Sequence, residues 1–182
     1  VIALKVERKM ENQFDVLALG EILLRLSPPG NERIVRSSTF EKRMGGAELN
    51  VVSGISLLGL RTGIISRIPA HTGGMFARNE VRYSKVSDDY LIYDRDPDAR
   101  LGVYYYENGA YPRKPGVVYD RKNTSINKIS PEDFPDEIYE NCRCFHTSGI
   151  TTALGENCRR TAIHMMKRFK EKGALISFDV NY

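Results

Sequence analysis

The stretch that decides the fold is KRMGGAELNVVSGISLLGLR, Lys42–Arg61, in which two adjacent glycines stand directly before a helical pattern. Apolar residues recur on one face of the predicted helix at Val51, Val52, Ile55 and Leu58. This spacing predicts a helix whose N-terminus follows Gly45 and Gly46.

The glycine pair favours a binding site as well as a turn. A helix N-terminus presents free N–H groups, and glycine lets a ligand approach the backbone closely. An oxygen-rich ligand would suit such a site, although a tight turn alone also explains two glycines. The stretch is neither a Walker A loop nor a G-x-G-x-x-G dinucleotide fingerprint.

The rest of the chain alternates strands and helices. Short apolar runs typical of buried strands are FDVLALG, TGIISRI, CFHTSGI and ALISFDV. A helix is predicted before the last of them, with Gly173 near its C-cap and an apolar face of Cys158, Ala162, Met166 and Phe169. The alternation predicts an α/β fold with a mostly parallel sheet flanked by helices, whose ligands bind beyond the carboxyl ends of the strands. Such ends include Gly20, Ser148–Gly149 and Asp179–Asn181, and we expect Asp179 and Asn181 to point to the cleft without a further assigned role.

Two segments interrupt this alternation, at about residues 22–40 and 97–125. LLRLSPPGNERIVRSSTF lies in the first, and the second contains RLGVYYYENG and PGVVYDRKN, which are rich in aromatic and β-branched residues. These runs indicate antiparallel strands rather than further βα units. We therefore predict a small β-sheet lid added to the α/β core.

Composition restricts the classes of partner. The 182 residues are 41% hydrophobic, enough for one substantial core, and 27 Lys+Arg face 23 Asp+Glu without forming a basic stripe. Nucleic acid is therefore not expected as a partner. No stretch has the roughly 20 apolar residues needed to span a bilayer, and VIALKVERKMENQ does not resemble an export signal. We expect a cytoplasmic protein without a membrane contact.

The three cysteines, Cys142, Cys144 and Cys158, are an odd set that we expect to be reduced. CRCFH could offer thiolates and His146 to a metal, but it lacks a second ligand pair at zinc spacing. The alternative is that Cys144 and His146 lie on one face of a strand, and no metal site is predicted in this chain.

Several motifs resemble a known family. GEILLRLSPPG, GGAELNVVSGISLLGLRTGIISRI, GVVYDRKNTS, SPEDF, HTSGIT and SFDVNY occur in the order and spacing of the ribokinase/PfkB carbohydrate kinases. From about Asp15 to Tyr182 the chain is most similar to the 2-keto-3-deoxygluconate kinases. The resemblance implies a ribokinase-like fold and transfer of a phosphoryl group from ATP, with Mg²⁺, to a hydroxyl of a sugar or sugar acid. The reaction would take place in a cleft between core and lid.

The resemblance also implies which residues bind the substrate: Gly45, Gly46, Asn50, Tyr104, Tyr119, Arg121 and Ile150. The amide of Asn50 suits vicinal diols, although it could instead cap a turn. The guanidinium of Arg121 could bind a sugar-acid carboxylate in bidentate fashion, or it could be a solvated strand residue. Strand alternation would place Tyr104 and Tyr106 on one face and Tyr105 on the other. Ile150 could equally belong to the core.

Two departures from the family pattern limit these expectations. PAHTGGMFAR replaces the acidic or asparagine turn of similar kinases, so no sugar contact is assigned to that loop. The family's glycine-rich element with the catalytic aspartate would lie beyond Tyr182. We therefore expect residues 1–182 to be the sugar-binding part of one kinase domain, without catalytic residues or the ATP-binding half, and inactive alone.

Two other interpretations stay open at this point. One is a truncated, non-catalytic paralogue that binds a sugar or forms a homo-oligomer through the lid. The other is a kinase for a neutral sugar such as fructose.

Overall fold

The computed structural model describes residues 13–181, so most of the N-terminal stretch considered as an export signal lies outside the described residues. In chain order its strands are β1 (Phe14–Leu19), β2 (Leu23–Ser27), β3 (Glu41–Gly45), β4 (Thr62–Pro69), β5 (Leu91–Asp94), β6 (Gly102–Glu107), β7 (Gly116–Asp120), β8 (Cys142–Ser148) and β9 (Leu175–Asp179). The α-helices are α1 (Ala47–Leu57), α2 (Thr72–Tyr83), α3 (Gly149–Ala153) and α4 (Glu156–Glu171), and short 3₁₀ helices lie at Ser125–Lys128, Pro131–Asp133 and Asp136–Glu140.

Five strands form the larger sheet, in the order β5-β4-β1-β8-β9. All four pairings between them are parallel. The carboxyl ends of the strands therefore meet at one edge, as the alternation of strands and helices predicts. The predicted α/β core is confirmed.

Both faces of this sheet are buried. On β1, Leu17 and Leu19 belong to one apolar cluster, which packs against α4, while Ala18 belongs to another, which packs against α1 and α2. Successive side chains of a strand point to opposite faces, so the two clusters lie on opposite sides of the sheet. Burial on both faces explains why these strands read as apolar runs in the sequence.

The buried face of α1 differs from the predicted one. Val51 is 37% exposed and Leu58 is 83% exposed, whereas the buried residues are Glu48, Leu49, Val52 and Ser56. Glu48 and Ser56 can be buried because each makes hydrogen bonds, the Ser56 hydroxyl to the Lys85 carbonyl at 3.1 Å. The apolar pattern therefore predicted the helix correctly but its buried face only in part, because Val52 is buried and Ile55 half-buried while Val51 and Leu58 are exposed.

A smaller correction concerns α4, which ends close to the predicted stop at Gly173. Met165, not Met166, is fully buried in its apolar face, and Met166 packs only partly against the cluster. The remaining predicted positions on this helix, Cys158, Ala162 and Phe169, are buried.

The second sheet is the lid, with strands in the order β3-β2-β6-β7. The pairs β2–β3 and β6–β7 are antiparallel as predicted, but β2 and β6 join in parallel, so the sheet is mixed. Its edge strand β3 lies just beyond the predicted segment, because EKRMG is mostly polar and exposed and carries no apolar alternation.

Within residues 13–181, no helix has both the length and the apolar character needed to cross a membrane.

Candidate functional site

A cleft of about 180 Å³ lies where the lid meets the carboxyl edge of the large sheet. Its walls are formed by Glu21, Leu23, Gly46, Ala47, Glu48, Asn50, Tyr104, Tyr119, Arg121 and Ile150. The fold thus brings together six of the seven residues that the resemblance implied. They come from three places: the start of α1, the lid strands, and the segments that follow strands β7 and β8.

The seventh residue, Gly45, stands behind the cleft rather than in its wall. A Cβ atom at this position would lie 2.6 Å from the Tyr104 hydroxyl oxygen. The absence of a side chain at Gly45 therefore lets Tyr104 pack against the strand that leads into α1.

Gly46 is the N-cap of α1 and has a φ of 141°, a conformation that favours glycine. A Cβ atom there would also overlap the carbonyl oxygen of Glu21. One turn later, the Asn50 N–H donates to the Gly46 carbonyl at 2.9 Å, and the exposed Asn50 side chain lines the cleft. The start of α1 therefore opens directly on the cleft.

Two tyrosines form the lid wall of the cleft. The rings of Tyr104 and Tyr119 are 5.7 Å apart, on neighbouring strands. Tyr106 lies under the Arg25 guanidinium at 4.3 Å, whereas Tyr105 contacts Phe40 on the other face, so the predicted alternation is confirmed. Burial is the main cause that raises the pKa of Tyr104, so its hydroxyl keeps its proton and can donate to a sugar oxygen.

The main charged contact in the cleft joins Arg121 to Glu21. The Arg121 Nη2 group donates to Glu21 Oε2, and the Thr124 hydroxyl donates to Glu21 Oε1 at 2.9 Å. Glu21 is only 3% exposed, and burial raises the pKa of its carboxyl even though Arg121 and Thr124 act against the shift. Among the described lining residues, Arg121 is the sole cationic group.

A second buried carboxylate, Glu48, lies at the floor of the cleft. It accepts hydrogen bonds from the hydroxyls of Ser148 at 2.5 Å and Thr151 at 2.7 Å. Both carboxylates of the cleft are thus already bound by side chains of the protein.

The four chain crossings between the core and the lid meet at Glu21. Glu21 lies on the first crossing, after β1, and Gly46 on the second, after β3. Gly102 opens β6 on the third, and a Cβ atom there would lie 2.6 Å from Glu21 Oε1 and 3.2 Å from the Cβ of Arg121. Arg121 lies on the fourth crossing, directly after β7. Glu21 therefore lies on the first crossing, approaches the second through its backbone carbonyl oxygen, and contacts the third and fourth through its carboxylate.

Other predicted positions lie around the cleft. Ile150 lines it and also lines an adjoining cavity of about 470 Å³ beside Arg121. Asp179 and Asn181 lie at the carboxyl end of β9 but do not line the cleft, contrary to the expectation that they point to it. Asp179 instead accepts the N–H of Asn181 at 3.0 Å.

The loop that departs from the family pattern has a local role. His71 is the N-cap of α2: its Nδ1 accepts the Gly73 N–H at 3.0 Å, and its Nε2 lies 3.1 Å from the Ala99 carbonyl oxygen. His71 thereby ties α2 to the connection that leads into β6. It does not line the cleft.

The cysteines carry no metal cluster in the part of the chain that the structure describes, where no group of three His, Cys, Asp or Glu residues could hold an ion. Cys144 and His146 lie two residues apart on β8, hence on one face, and His146 contacts the Ser177 hydroxyl. All three cysteines are free thiols. Burial raises the pKa values of Cys142 and Cys158 to about 12, so these thiols are protonated at neutral pH.

Sequence reasoning missed the two carboxylates of the cleft. Glu21 directly follows the strand end at Gly20, and Glu48 lies inside the glycine-helix motif, so both sat within stretches already singled out. An acidic residue next to a predicted strand end is a usable signal for a site at the sheet edge. The partners of these carboxylates lie 100 or more residues away, and no local pattern identifies them.

The chain is similar to carbohydrate kinases over nearly all of its length. The model of the pfkB family carbohydrate kinases matches residues 13–182. The 2-dehydro-3-deoxygalactonokinase of Haloferax volcanii is 37% identical over 168 residues, covering 92% of this chain and 52% of that protein. The 2-dehydro-3-deoxygluconokinase of Bacillus subtilis is 28% identical over 171 residues, covering 93% and 52%. The chain spans about half the length of these curated relatives.

Among solved structures, the 2-dehydro-3-deoxygluconokinase of Thermotoga maritima superposes with a TM-score of 0.87 at 38% identity. The superposition covers 92% of this chain and 51% of that one. 2-Dehydro-3-deoxy is another form of the name 2-keto-3-deoxy. These matches confirm the resemblance and the ribokinase-like fold, and they do not favour the non-catalytic or neutral-sugar interpretations.

Proposed function

The chain belongs to the pfkB family of carbohydrate kinases, and from this premise we propose that the whole protein phosphorylates a 2-keto-3-deoxy sugar acid with ATP. The substrate would be the gluconate, the galactonate or both, since relatives of each name are similar to this chain. The observation that carries the proposal is the cleft, where a single cation, Arg121, faces two tyrosines and the N-terminus of α1.

Arg121 is the group that we assign to the substrate carboxylate. Its Nη2 already donates to Glu21, and its guanidinium lies 5.5 Å from the Tyr119 ring. The remaining N–H groups are available to an acid, and the Nε atom is buried without a partner among the described residues. A guanidinium presents up to five N–H donors, so Arg121 can bind Glu21 and a substrate carboxylate together.

The other lining residues suit the hydroxyl groups of a sugar. Asn50 offers a donor and an acceptor, and Tyr104 a hydroxyl, while the helix start at Gly46 adds backbone N–H groups. Ile150 closes the cleft with an apolar side chain. The cleft of about 180 Å³ thus has polar groups on several walls and one apolar wall, an arrangement that suits a small polyhydroxylated ligand.

Within residues 13–181, no group of three His, Cys, Asp or Glu residues could hold a metal ion such as Mg²⁺. Phosphoryl transfer depends on groups that neutralise the charge of the transferred phosphate. We propose that these groups, including the catalytic aspartate, lie in the part of the protein that corresponds to the other half of the relatives. The role of this chain in the reaction is to bind and orient the sugar.

The test is a kinase assay of the full-length protein. Mg²⁺-ATP would be supplied with 2-keto-3-deoxygluconate, 2-keto-3-deoxygalactonate, fructose and ribose, and ADP release would be followed. We expect sustained turnover with at least one of the two acids at a higher kcat/KM than with either neutral sugar. Higher kcat/KM with fructose or ribose would overturn the assignment of a sugar acid.

The lid also supports a proposal on assembly. Strand β7 is at the edge of the lid sheet, all five of its residues are exposed, and Val117 and Val118 are 47% and 61% exposed. We propose that two copies associate through this edge. Light scattering of the full-length protein should then give twice the monomer mass, and a monomer mass would contradict it.

The use of ATP and the three free thiols support a cytoplasmic location.

A further inference from the structure

A buried carboxylate beside the cation of a site for acids is an unexpected arrangement. Glu21 is 3% exposed and lies next to the place where we assign the carboxylate of the substrate. Its negative charge opposes the binding of another anion. A structural role for Glu21 would have to offset its repulsion of the substrate carboxylate.

That role concerns the conformational freedom of the Arg121 side chain. The side chain follows the edge strand β7, where every residue is exposed. Beside it lies the adjoining cavity of about 470 Å³, which is lined by Arg121 itself with Lys122, Asn123 and Asn127. A long, flexible arginine has room to turn away from the cleft into this space, and ordering it costs rotamer entropy.

Glu21 opposes that movement from the core side. Its Oε2 accepts from Arg121 Nη2, while its Oε1 is held by the Thr124 hydroxyl at 2.9 Å. Close contact with Gly102 further restricts the carboxylate, because a Cβ atom at that position would lie 2.6 Å from Oε1. A restricted acceptor fixes one end of the guanidinium of Arg121, which lines the cleft.

We propose that Glu21 is a positioning residue that holds the Arg121 guanidinium in the cleft and thereby determines the preference of the site for sugar acids. The inference rests on the proposed function, in which Arg121 binds the substrate carboxylate. Glu21 acts through Arg121 and does not itself touch the reacting atoms. Its removal should impair the binding of acids more than the binding of neutral sugars.

The kinetic test uses the full-length enzyme and a double-mutant cycle. Glu21→Ala should raise KM for the preferred sugar acid about tenfold or more and leave kcat within about threefold, because a ground-state contact is lost. Glu21→Gln keeps an oxygen that accepts from Arg121 and should stay within about threefold of wild type. In an Arg121→Ala background, Glu21→Ala should cause no further rise in KM.

A matched control separates this effect from a general loosening of the lid. Glu107 is a lid carboxylate that is also bound by an arginine, Arg113, and by the Ile34 N–H at 2.8 Å, but it does not line the cleft. Glu107→Ala should leave the ratio of KM values for acid and neutral sugars unchanged. Full additivity of Glu21→Ala and Arg121→Ala, or an equal loss with neutral sugars, would overturn the proposal.

Crystal structures of the full-length wild type and Glu21→Ala give a readout that needs no activity. We expect Arg121 to leave the cleft or lose its order in the variant, and an unmoved guanidinium would overturn the proposal. If the wild type does not phosphorylate sugar acids, the proposed function fails, and the crystal structures still decide whether Glu21 positions Arg121.

Discussion

The large sheet and the lid sheet are stabilised in different ways. In the large sheet, apolar clusters cover both faces, and Leu17, Ile65 and Phe145 have no exposed surface. In the lid, β7 is wholly exposed and β3 mostly so, and charged and aromatic contacts join its strands. Burial of apolar area is the main source of folding free energy, so the large sheet contributes most of the stability of the fold. The lid buries little apolar area of its own, and its folded structure therefore depends on its connections to the core.

The two sheets should therefore respond differently to substitution. Substitutions in the large sheet should mainly change the free energy of unfolding. Substitutions in the lid should mainly change substrate binding, because the lid supplies Tyr104, Tyr119 and the segment that carries Arg121. The predictions below test that division in the full-length protein.

The largest effect is expected in the core. Phe145 is fully buried and stacks on Phe169, with ring centroids 4.5 Å apart. Phe145→Ala should lower the free energy of unfolding by about 3–5 kcal/mol, the range for a phenylalanine removed from a packed core. Denaturant titration is the measurement. The matched control is Phe40→Ala in the lid, where Phe40 is 40% exposed and a smaller loss is expected; equal losses would contradict the division.

The next effect is on binding. Arg121→Ala should raise KM for the sugar acid by roughly 30- to 150-fold, equivalent to about 2–3 kcal/mol for a charge-assisted contact. The kcat should change little if the contact is equal in ground and transition states, and fructose should be little affected.

Because Arg121→Ala also leaves Glu21 buried without its partner, the thermal midpoint must be recorded beside the kinetics. Arg113→Ala, at the tip of the lid, is the control for removal of a lid cation. A parallel loss with fructose would mean that Arg121 organises the lid rather than recognises a carboxylate.

Two carboxylates, Glu21 on the connection between core and lid and Glu107 on the lid, should respond in opposite ways to pH. Burial raises the pKa of Glu21, so its contribution to stability is present below about pH 4.5 and is lost as the pH rises through the raised value. The N–H of Ile34, aided by Arg113, lowers the pKa of Glu107, so its contribution is present above about pH 4.5 and is lost as the pH falls through the lowered value.

Thermal melts test these signs, of Glu21→Gln from about pH 4.5 to 7.5 and of Glu107→Gln from about pH 2.5 to 5. Relative to wild type, the melting temperature of Glu21→Gln should improve as the pH rises, and that of Glu107→Gln should worsen. If the melting temperatures of both variants changed in the same direction with pH, Glu21 and Glu107 would have similar electrostatic environments.

The smallest effect is expected on the exposed face of the lid. Val118 is 61% exposed on β7, and Val118→Thr keeps the β-branched shape that suits a strand. In the monomer, the free energy of unfolding should change by no more than about 0.5 kcal/mol. A larger loss, measured by denaturant titration below the dissociation concentration, would indicate that this face is packed within the subunit.

The large sheet was also easier to predict from the sequence than the lid and the cleft. The strands of the large sheet were found because burial on both faces leaves continuous apolar runs, as in TGIISRI. The buried face of α1 was predicted only in part because Glu48 is buried by hydrogen bonds to Ser148 and Thr151, which lie 100 and 103 residues away. Charged residues in an amphipathic pattern are normally assigned to solvent.

The lid was harder to derive because its strands are held by pairing rather than by burial. The parallel pairing of β2 with β6 joins segments distant in the chain, and neither segment encodes its partner. For the cleft, the motif resemblance indicated residues that the fold does bring together. Glu21 was missed because its importance depends on Arg121 and Gly102, which only the folded chain brings to it.

The convergence of all four crossings on Glu21 has a mechanical consequence. Because the four connections approach one residue, we expect the lid to be held most firmly beside Glu21 and less firmly at the far end of β6, around Glu107 and Arg113. A change in the position of Arg121 should therefore be accompanied by a larger displacement at that end of the lid than beside Glu21.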